Sequence, residues 1–296
     1  MTNLSPASLQ MSALVAGAWR LGDWGFDVGQ RQAWIEGNLE RGLTTFDHAD
    51  IYGGYRVEGL FGEVLAQAPG LRDRMQLVTK CGIKLTGPAR PAHETHCYDT
   101  SAAHIIASVE NSLRELRTDR IDLLLIHRPD ALMDADEVAA TFERLRRDGK
   151  VLHFGASNFT VQQFELLHSR IALETNQVEC SPLQMGAIHD GTFDQAQRLR
   201  ARPMIWSPLA GGRLFNEDSP AAHRVRWVMG EIGARLGVST TTLAIAWLMR
   251  LPSRPIPVVG SRRLSATDEA VAALKLTLNP DDWYRIWSAS TGHEVP

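Results

Sequence analysis

The stretch Ile121-Asp-Leu-Leu-Leu-Ile126-His127 is a near-continuous apolar run that ends in a polar side chain. Such runs are typical of strands in a parallel sheet, because helices cover both faces of that sheet. Each of seven further apolar runs along the chain is, like this one, short and followed by a helical pattern. The eight predicted strands lie at 14–19, 44–48, 76–81, 121–127, 153–158, 175–180, 204–208 and 256–260.

Amphipathic patterns with helical spacing follow each predicted strand. They lie near 29–41, 56–67, 100–117, 135–148, 160–168, 191–201, 220–236 with 239–250, 264–274 and, at the end, 280–289. Eight strand–helix units predict an α/β protein with a (β/α)8 TIM barrel, forming a single domain over residues 1–296. The Rossmann alternative is disfavoured because no GxGxxG motif follows an early strand.

Composition and charge exclude several classes of function. Hydrophobic residues make up 44% of the chain and charged residues 22%, as in ordinary globular proteins. A net charge of −3 provides no basic field for nucleic acid or for an anionic membrane surface. No apolar run approaches the ~18 residues of a membrane span, and the three cysteines have no metal-like spacing. We therefore expect a cytoplasmic protein that binds neither nucleic acid nor membrane.

Polar side chains stand at the ends of three predicted strands. Asp47, Lys80 and His127 each end a strand, and Tyr52 follows Asp47 by five residues. In a barrel the carboxyl ends of the strands form one face, where catalytic groups gather. A phenol has a pKa of about 10, and a neighbouring ammonium lowers it by favouring the phenolate. Singly, each of these residues has an ordinary structural explanation, as an ion-pair partner, a helix cap or a core histidine.

Several segments carry a more specific pattern. They are Gly42-Leu-Thr-Thr-Phe-Asp47-His-Ala-Asp-Ile-Tyr52-Gly53, Leu123-Leu-Leu-Ile-His127-Arg-Pro, Gly149-Lys-Val-Leu-His-Phe-Gly-Ala-Ser157-Asn158-Phe159, Asn176-Gln177, Trp206-Ser-Pro-Leu-Ala-Gly-Gly212 and Pro257-Val-Val-Gly260-Ser261-Arg262. In this order they resemble the signatures of the aldo-keto reductase superfamily, most of all a bacterial branch of aldo-keto oxidoreductases. The resemblance implies an oxidoreductase that uses NADPH to reduce aldehydes and ketones to alcohols.

The resemblance also implies roles for individual residues. Tyr52 becomes the proton donor, with Lys80 and Asp47 lowering its pKa and His127 orienting the substrate carbonyl. The cofactor-binding residues that it implies are Ser157, Asn158, Gln177, Trp206, Ser207, Pro208, Leu209, Gly211, Gly212, Arg213, Gly260, Ser261, Arg262 and Arg263. Ala266 and Ala270 replace the Arg and Asn that many members place near adenine, while Arg262 and Arg263 remain to meet a 2′-phosphate.

Other residues are candidates for the substrate pocket or for metal. Trp19, Trp24, Tyr55, Tyr98 and Arg128 are predicted to line the pocket, with plain packing as the alternative for the two tryptophans. His93-Glu-Thr-His96 lies in a Pro-rich loop over 84–99 and superficially resembles a metal site. A zinc site needs three or four ligands in defined geometry. We therefore expect no metal, and interpret the loop as a rim of the pocket.

Two other functions are compatible with parts of this pattern. The first is a nicotinamide-binding regulatory subunit, like the superfamily's potassium-channel β subunits, with the four catalytic residues present but little turnover. The second is a barrel lyase or isomerase that uses no nicotinamide. The reductase function requires a small carbonyl substrate and predicts no obligate protein partner.

Overall fold

The computed structural model describes residues 9–296. Among them the strands are β1 Val15–Gly17, β2 Thr45–Asp47, β3 Gln76–Cys81, β4 Ile83–Lys84, β5 Cys97–Tyr98, β6 Ile121–Ile126, β7 Val151–Ser157, β8 Asn176–Glu179, β9 Met204–Trp206 and β10 Ile256–Val259. Eight of them form a closed barrel in the order β1-β10-β9-β8-β7-β6-β3-β2, and β4 and β5 pair separately. The predicted (β/α)8 barrel is confirmed.

Helices follow the barrel strands. Among residues 9–296 they are α1 Val28–Glu40, α2 Val57–Gln67, α3 Ala102–Leu116, α4 Ala135–Arg147, α5 Val161–His168, α6 Gly186–His189, α7 Thr192–Leu199, α8 Arg213–Asn216, α9 Pro220–Leu236, α10 Thr240–Met249, α11 Leu264–Ala272 and α12 Pro280–Thr291. Local sequence fixes several starts, because Asp27 and Thr160 form capping boxes and Ser101 accepts a bond from His104 N.

Three short features were not predicted. The antiparallel hairpin of β4 and β5 begins at Ile83, one residue before the loop over 84–99, and pairs Ile83 with Tyr98. Helices α6 and α8 are only four residues long. A single helical turn has too little sequence to show a hydrophobic period, so pattern alone does not detect it.

The described residues divide into two compact units, one ending at Asn176 and the other covering Gln177–Pro296. In the first unit, β2, β3 and β6 pair in parallel, with Asp47 opposite Val78 and Lys80 opposite Leu125. The backbone N–H of His127 continues this ladder by donating to the Cys81 carbonyl at 2.8 Å. The register therefore brings the ends of three strands, with their polar residues, to one edge of the unit. The single domain over 1–296 stays a prediction.

In the second unit, a tryptophan pair joins α10 to α12. The Trp247 and Trp283 rings stack with centroids 5.0 Å apart and planes 9° apart. Each indole N–H donates to the main-chain carbonyl of the other residue at 3.0 Å. Both indole N–H groups are thereby satisfied. Nη2 of Arg235, on α9, donates to both carboxylate oxygens of Asp282 at 2.6 Å.

Within residues 9–296, no helix by itself has the length and apolar content of a membrane span. Helices α9 and α10 reach them only as a pair, with a 96° bend between the two.

Candidate active site

Lys80 is the centre of a buried polar cluster in the first unit. Its side chain is 1% exposed, and its Nζ donates to both carboxylate oxygens of Asp47 at 2.8 and 2.7 Å. The same ammonium contacts the His48 carbonyl at 2.8 Å and the Tyr52 hydroxyl at 3.1 Å. The structure thus brings Asp47, Lys80 and Tyr52 together as the sequence predicts, with the lysine between the carboxylate and the phenol.

The surroundings of Lys80 keep its ammonium charged. Burial is the largest single influence on its pKa and acts to lower it. The negative charge of Asp47, with smaller contributions from Tyr52, outweighs burial and leaves the Lys80 pKa raised. Lys80 is therefore a cation at neutral pH, and its charge faces the Tyr52 oxygen.

Tyr52 differs from the expectation in one respect. The residue as a whole is half-buried, but its hydroxyl is desolvated, and this desolvation raises the Tyr52 pKa above 10.0. Lys80 acts in the predicted direction and lowers the pKa, but by less than burial raises it. The expected net lowering of the Tyr52 pKa is therefore wrong. The phenol carries its proton at neutral pH, which is the form that a general acid needs.

His127 lies beside this phenol. Its ring centroid is 6.0 Å from that of Tyr52, with the planes at 79°. Burial and then the positive charges of Lys80 and Arg128 hold the His127 pKa well below 6.5, so the imidazole is neutral at neutral pH. Its Nδ1 is buried and has no hydrogen-bond partner among residues 9–296. A neutral imidazole carries one N–H donor and one acceptor nitrogen.

Two of the predicted cofactor residues lie in the first unit. Ser157 ends β7, and Asn158 follows it with a left-handed backbone at φ +60°. The Asn158 side-chain amide donates to Ser157 Oγ at 2.8 Å and to the His127 carbonyl at 3.4 Å. The carboxamide of Asn158 is therefore held in a fixed orientation beside the residue that follows β6.

The remaining predicted cofactor residues lie in the second unit. Gln177 is in β8 and Trp206 ends β9. After Trp206 the backbone takes left-handed values at Ser207, Ala210, Gly211 and Gly212. The loop is closed by its own backbone bonds, because Ala210 N donates to the Ser207 carbonyl at 2.8 Å and Gly212 N donates to the Leu209 carbonyl at 3.0 Å. The full predicted set here is Gln177, Trp206, Ser207, Pro208, Leu209, Gly211, Gly212, Arg213, Gly260, Ser261, Arg262 and Arg263, and its binding role stays a prediction.

Charge is available at two places in this second set. The Arg213 guanidinium donates to the Ala210 carbonyl at 3.1 Å and pairs with Glu217 at 3.2 Å. Arg262 and Arg263 are exposed immediately before α11, and Arg263 N donates to Ser261 Oγ at 3.1 Å. The two exposed guanidinium groups suit a phosphate, because arginine binds phosphate oxygens in a bidentate geometry.

The predicted substrate residues have different surroundings. Trp24 packs against Phe26 and Trp34, with ring centroids 5.5 and 5.3 Å away, so its ring is engaged in packing. Trp19 and Tyr98 are among the exposed large hydrophobic residues of the chain. Arg128 is half-buried, and its charge acts on both Tyr52 and His127. A role of any of them in substrate binding stays a prediction.

Tyr55 connects the hairpin loop to the Tyr52 loop. Its hydroxyl accepts a bond from Leu85 N at 2.8 Å, and the Arg90 guanidinium lies over its ring at 4.5 Å. His93 packs near the same ring and contacts the Leu85 carbonyl through Nδ1 at 3.1 Å. His93 is thus engaged in the loop itself. Among residues 9–296, no three His, Cys, Asp or Glu side chains form a group that could hold a metal ion.

Two buried carboxyl groups were not recognised from the sequence. Asp50 and Glu58 are both almost fully buried. Burial and then the charge of Glu58 raise the Asp50 pKa well above its usual range, while burial raises the pKa of Glu58 to about 7. The spacing contained a signal, because Glu58 falls on the same helical face as the buried Phe61 and Leu65.

Comparison with known proteins identifies the family. The family model described as the aldo/keto reductase family matches residues 13–291, so the chain belongs to that family. The oxidoreductase YdhF of Escherichia coli is 49% identical over 99% of this chain and 98% of its own length. A 6-dehydroglucose reductase of Agrobacterium fabrum is 43% identical over 97% of each chain. A glycerol dehydrogenase structure from Gluconobacter oxydans has the same fold, with a TM-score of 0.84 at 23% identity, covering 97% of this chain and 94% of its own.

Family membership and oxidoreductase-named relatives make this chain an NAD(P)H-dependent oxidoreductase. The resemblance read from the sequence is therefore confirmed.

Proposed function

We propose that this protein uses NADPH to reduce aldehydes and ketones to alcohols, with Tyr52 as the proton donor. One observation carries the proposal. A single buried ammonium, Lys80 Nζ, contacts the Asp47 carboxylate and the Tyr52 hydroxyl together. This arrangement is suited to a phenol that releases a proton and then carries negative charge.

Reduction adds a hydride to the carbonyl carbon and a proton to the oxygen. Tyr52 gives its proton to the substrate oxygen, and the phenolate that forms lies 3.1 Å from the Lys80 ammonium. The ammonium stabilises this phenolate by Coulomb attraction, strengthened where water is excluded. The neutral His127 donates an N–H to the same substrate oxygen as charge develops on it. Asp47 keeps Lys80 protonated and in place.

The residues present fit a nicotinamide cofactor. The Asn158 carboxamide is held in orientation by Ser157, and amide and hydroxyl groups of this kind suit the nicotinamide carboxamide. The exposed Arg262 and Arg263 suit phosphate groups, because arginine binds phosphate oxygens in a bidentate geometry. NADPH, when bound, supplies the hydride. The 2′-phosphate that distinguishes NADPH from NADH would meet the Arg262–Arg263 pair.

The names of relatives suggest which carbonyl to test first. A relative 43% identical to this chain is called a 6-dehydroglucose reductase, and so is a second, 37% identical, from Novosphingobium aromaticivorans. We infer that polyhydroxylated aldehydes belong to the substrate range of this protein. Simple aldehydes and ketones of different size provide the comparison series.

The test has two stages. First, NADPH and NADH are titrated into the purified protein with tryptophan fluorescence as the readout, where we expect tighter binding of NADPH. Second, turnover of 6-dehydroglucose and the comparison series is measured for the wild type and for Tyr52→Phe. Loss of the general acid lowers rates by roughly 10²–10⁴, so Tyr52→Phe should abolish measurable turnover while binding NADPH normally.

Other outcomes distinguish the alternatives. Cofactor binding without turnover of any carbonyl, combined with stable association to another protein, would favour the regulatory-subunit function. Binding of neither cofactor would contradict the nicotinamide proposal and favour the lyase or isomerase. Equal binding of NADPH and NADH would keep the reductase and remove the role of Arg262 and Arg263.

A further inference from the structure

Tyr52 lies on a loop, and this loop is joined directly to the start of α2. The Tyr52 carbonyl accepts bonds from Arg56 N at 3.1 Å and from Val57 N at 3.2 Å. Between these residues the backbone is left-handed at Gly53, Gly54 and Tyr55. Helix α2 begins at Val57 without a side-chain N-cap. The position of the Tyr52 main chain therefore depends on what fixes the first turn of α2.

Glu58, in that first turn, is fixed through two hydrogen bonds. Thr79 Oγ1 donates to Glu58 Oε1 at 2.6 Å, and Ser112 Oγ donates to Glu58 Oε2 at 2.9 Å. Thr79 is the residue before Lys80 on β3, whereas Ser112 is on α3. One carboxyl group thus connects the helix that follows Tyr52 to the strand that carries Lys80.

This carboxyl group is not explained by stability alone. Glu58 is 2% exposed and has no ion-pair partner among residues 9–296. The charges that act on it from neighbouring elements are Glu115, Arg90 and, across the cluster, Asp50. Burying a carboxyl group without a counter-ion costs free energy, and an apolar side chain of similar volume would be more stable there.

The two hydrogen bonds are not equivalent. Helix α2 already packs against α3 at Gly62, where an added Cβ would meet the Glu115 carbonyl oxygen at 1.9 Å. That contact holds α2 on α3 whether or not Ser112 donates its bond. The Thr79 bond is different, because it ends one residue from Lys80 on β3.

We propose that Glu58, acting through its hydrogen bond from Thr79, is a positioning residue that sets the Tyr52 hydroxyl against Lys80. This inference rests on the proposed role of Tyr52 as the proton donor. It assigns to the Ser112 bond an effect on stability only.

Matched variants test whether the Thr79 and Ser112 hydrogen bonds to Glu58 have different effects on kcat. Thr79→Val and Ser112→Ala each remove one hydroxyl from a buried residue and leave one Glu58 oxygen without its partner. Thr79→Ser restores the first hydroxyl. We expect Thr79→Val to lower kcat by a factor of about 10 to 100, as displacements near 1 Å at a reacting group do, with the Kd for NADPH unchanged. Thr79→Ser should recover most of kcat, and Ser112→Ala should lower Tm while leaving kcat at the wild-type value.

Crystal structures of the two variants provide a readout independent of activity. The distance from Tyr52 Oη to Lys80 Nζ should lengthen in Thr79→Val and stay near its 3.1 Å wild-type value in Ser112→Ala. Equal losses of kcat in the two variants, or an unchanged Oη–Nζ distance in Thr79→Val, would overturn the inference. If the proposed function is wrong, the wild-type protein turns over no carbonyl. In that case the Oη–Nζ distances in the two variants still decide whether Glu58 positions Tyr52.

Discussion

Removing the Lys80 charge while keeping its shape tests the physical basis of the site. Lys80→Met leaves the Asp47 carboxylate, which is 3% exposed, without its cation. Breaking a buried ion pair in this way destabilises a protein by about 3–5 kcal/mol. Because both partners are almost fully buried, solvent screening does not reduce this figure. We expect the free energy of unfolding of Lys80→Met, measured by urea titration, to be lower than that of wild type by this amount. Fluorescence and circular dichroism serve as parallel probes.

The double variant Asp47→Asn/Lys80→Met decides whether the loss comes from the unpaired charge. It removes both charges and leaves only imperfectly paired polar groups, which lower the free energy of unfolding by about 1–3 kcal/mol. The double variant should therefore be more stable than Lys80→Met alone, a non-additive result typical of contacting residues. If it is equally or less stable, the isolated carboxylate is not the cause and the reasoning is refuted.

The pH dependence of the same variants gives an independent check. The Lys80 pKa is raised in the folded protein. The stability it contributes is fully present below the unfolded value of about 10.4 and is lost as pH rises through the folded pKa. Wild type should lose stability over that alkaline range, whereas Lys80→Met should lose less. In the kinetic assay Lys80→Met should also lower kcat, because the phenolate left on Tyr52 loses its neighbouring cation.

The further predictions concern α2, its carboxyl group and the cofactor phosphate. Gly62→Ala places a Cβ 1.9 Å from a main-chain oxygen of α3 and should lower the free energy of unfolding by about 1–3 kcal/mol in the urea assay. The control is Gly230→Ala, at an exposed helix position where nothing lies within 4 Å of the added Cβ. It should raise the free energy of unfolding by about 0.5–1 kcal/mol. Burial raises the pKa of Glu58 from 4.5 to about 7, so the folded protein pays no ionisation penalty at Glu58 below 4.5 and loses stability as pH rises from there through 7. Glu58→Gln should flatten the Tm profile over that window. Arg262→Ala/Arg263→Ala should raise the Kd for NADPH and leave that for NADH unchanged in the fluorescence titration, and equal effects on both would contradict a role in 2′-phosphate binding.

The strand-end residues illustrate what sequence makes predictable. Asp47, Lys80 and His127 each follow an apolar run, and parallel register alone brings such ends to one edge. Their proximity therefore follows from pattern and topology. The structure confirms the barrel and the convergence of these groups with Tyr52, and the strand predicted at 76–81 has the bounds that the structure gives to β3, whereas the other strands differ by one or two residues at one or both ends.

Other properties depend on contacts that no local pattern contains. The β4–β5 hairpin has two residues a strand and forms through pairing across the loop, as Ile83 does with Tyr98. The direction of the Tyr52 pKa depends on how far burial outweighs Lys80, which only the folded surroundings determine. The spacing of Glu58 from Phe61 and Leu65 indicates the inward face of α2, but the two hydrogen bonds to its carboxyl group come from β3 and α3.

The stacked Trp247–Trp283 pair has a spectroscopic consequence. Two indoles held 5.0 Å apart act as coupled chromophores, so their near-ultraviolet circular dichroism depends on the stack staying closed. That signal reports the docking of α12 on α10 in the second unit, whereas Trp24 and Trp34 report the packing of the first. The near-ultraviolet signal of this stack is thus an intrinsic probe of that docking, without any label near Tyr52.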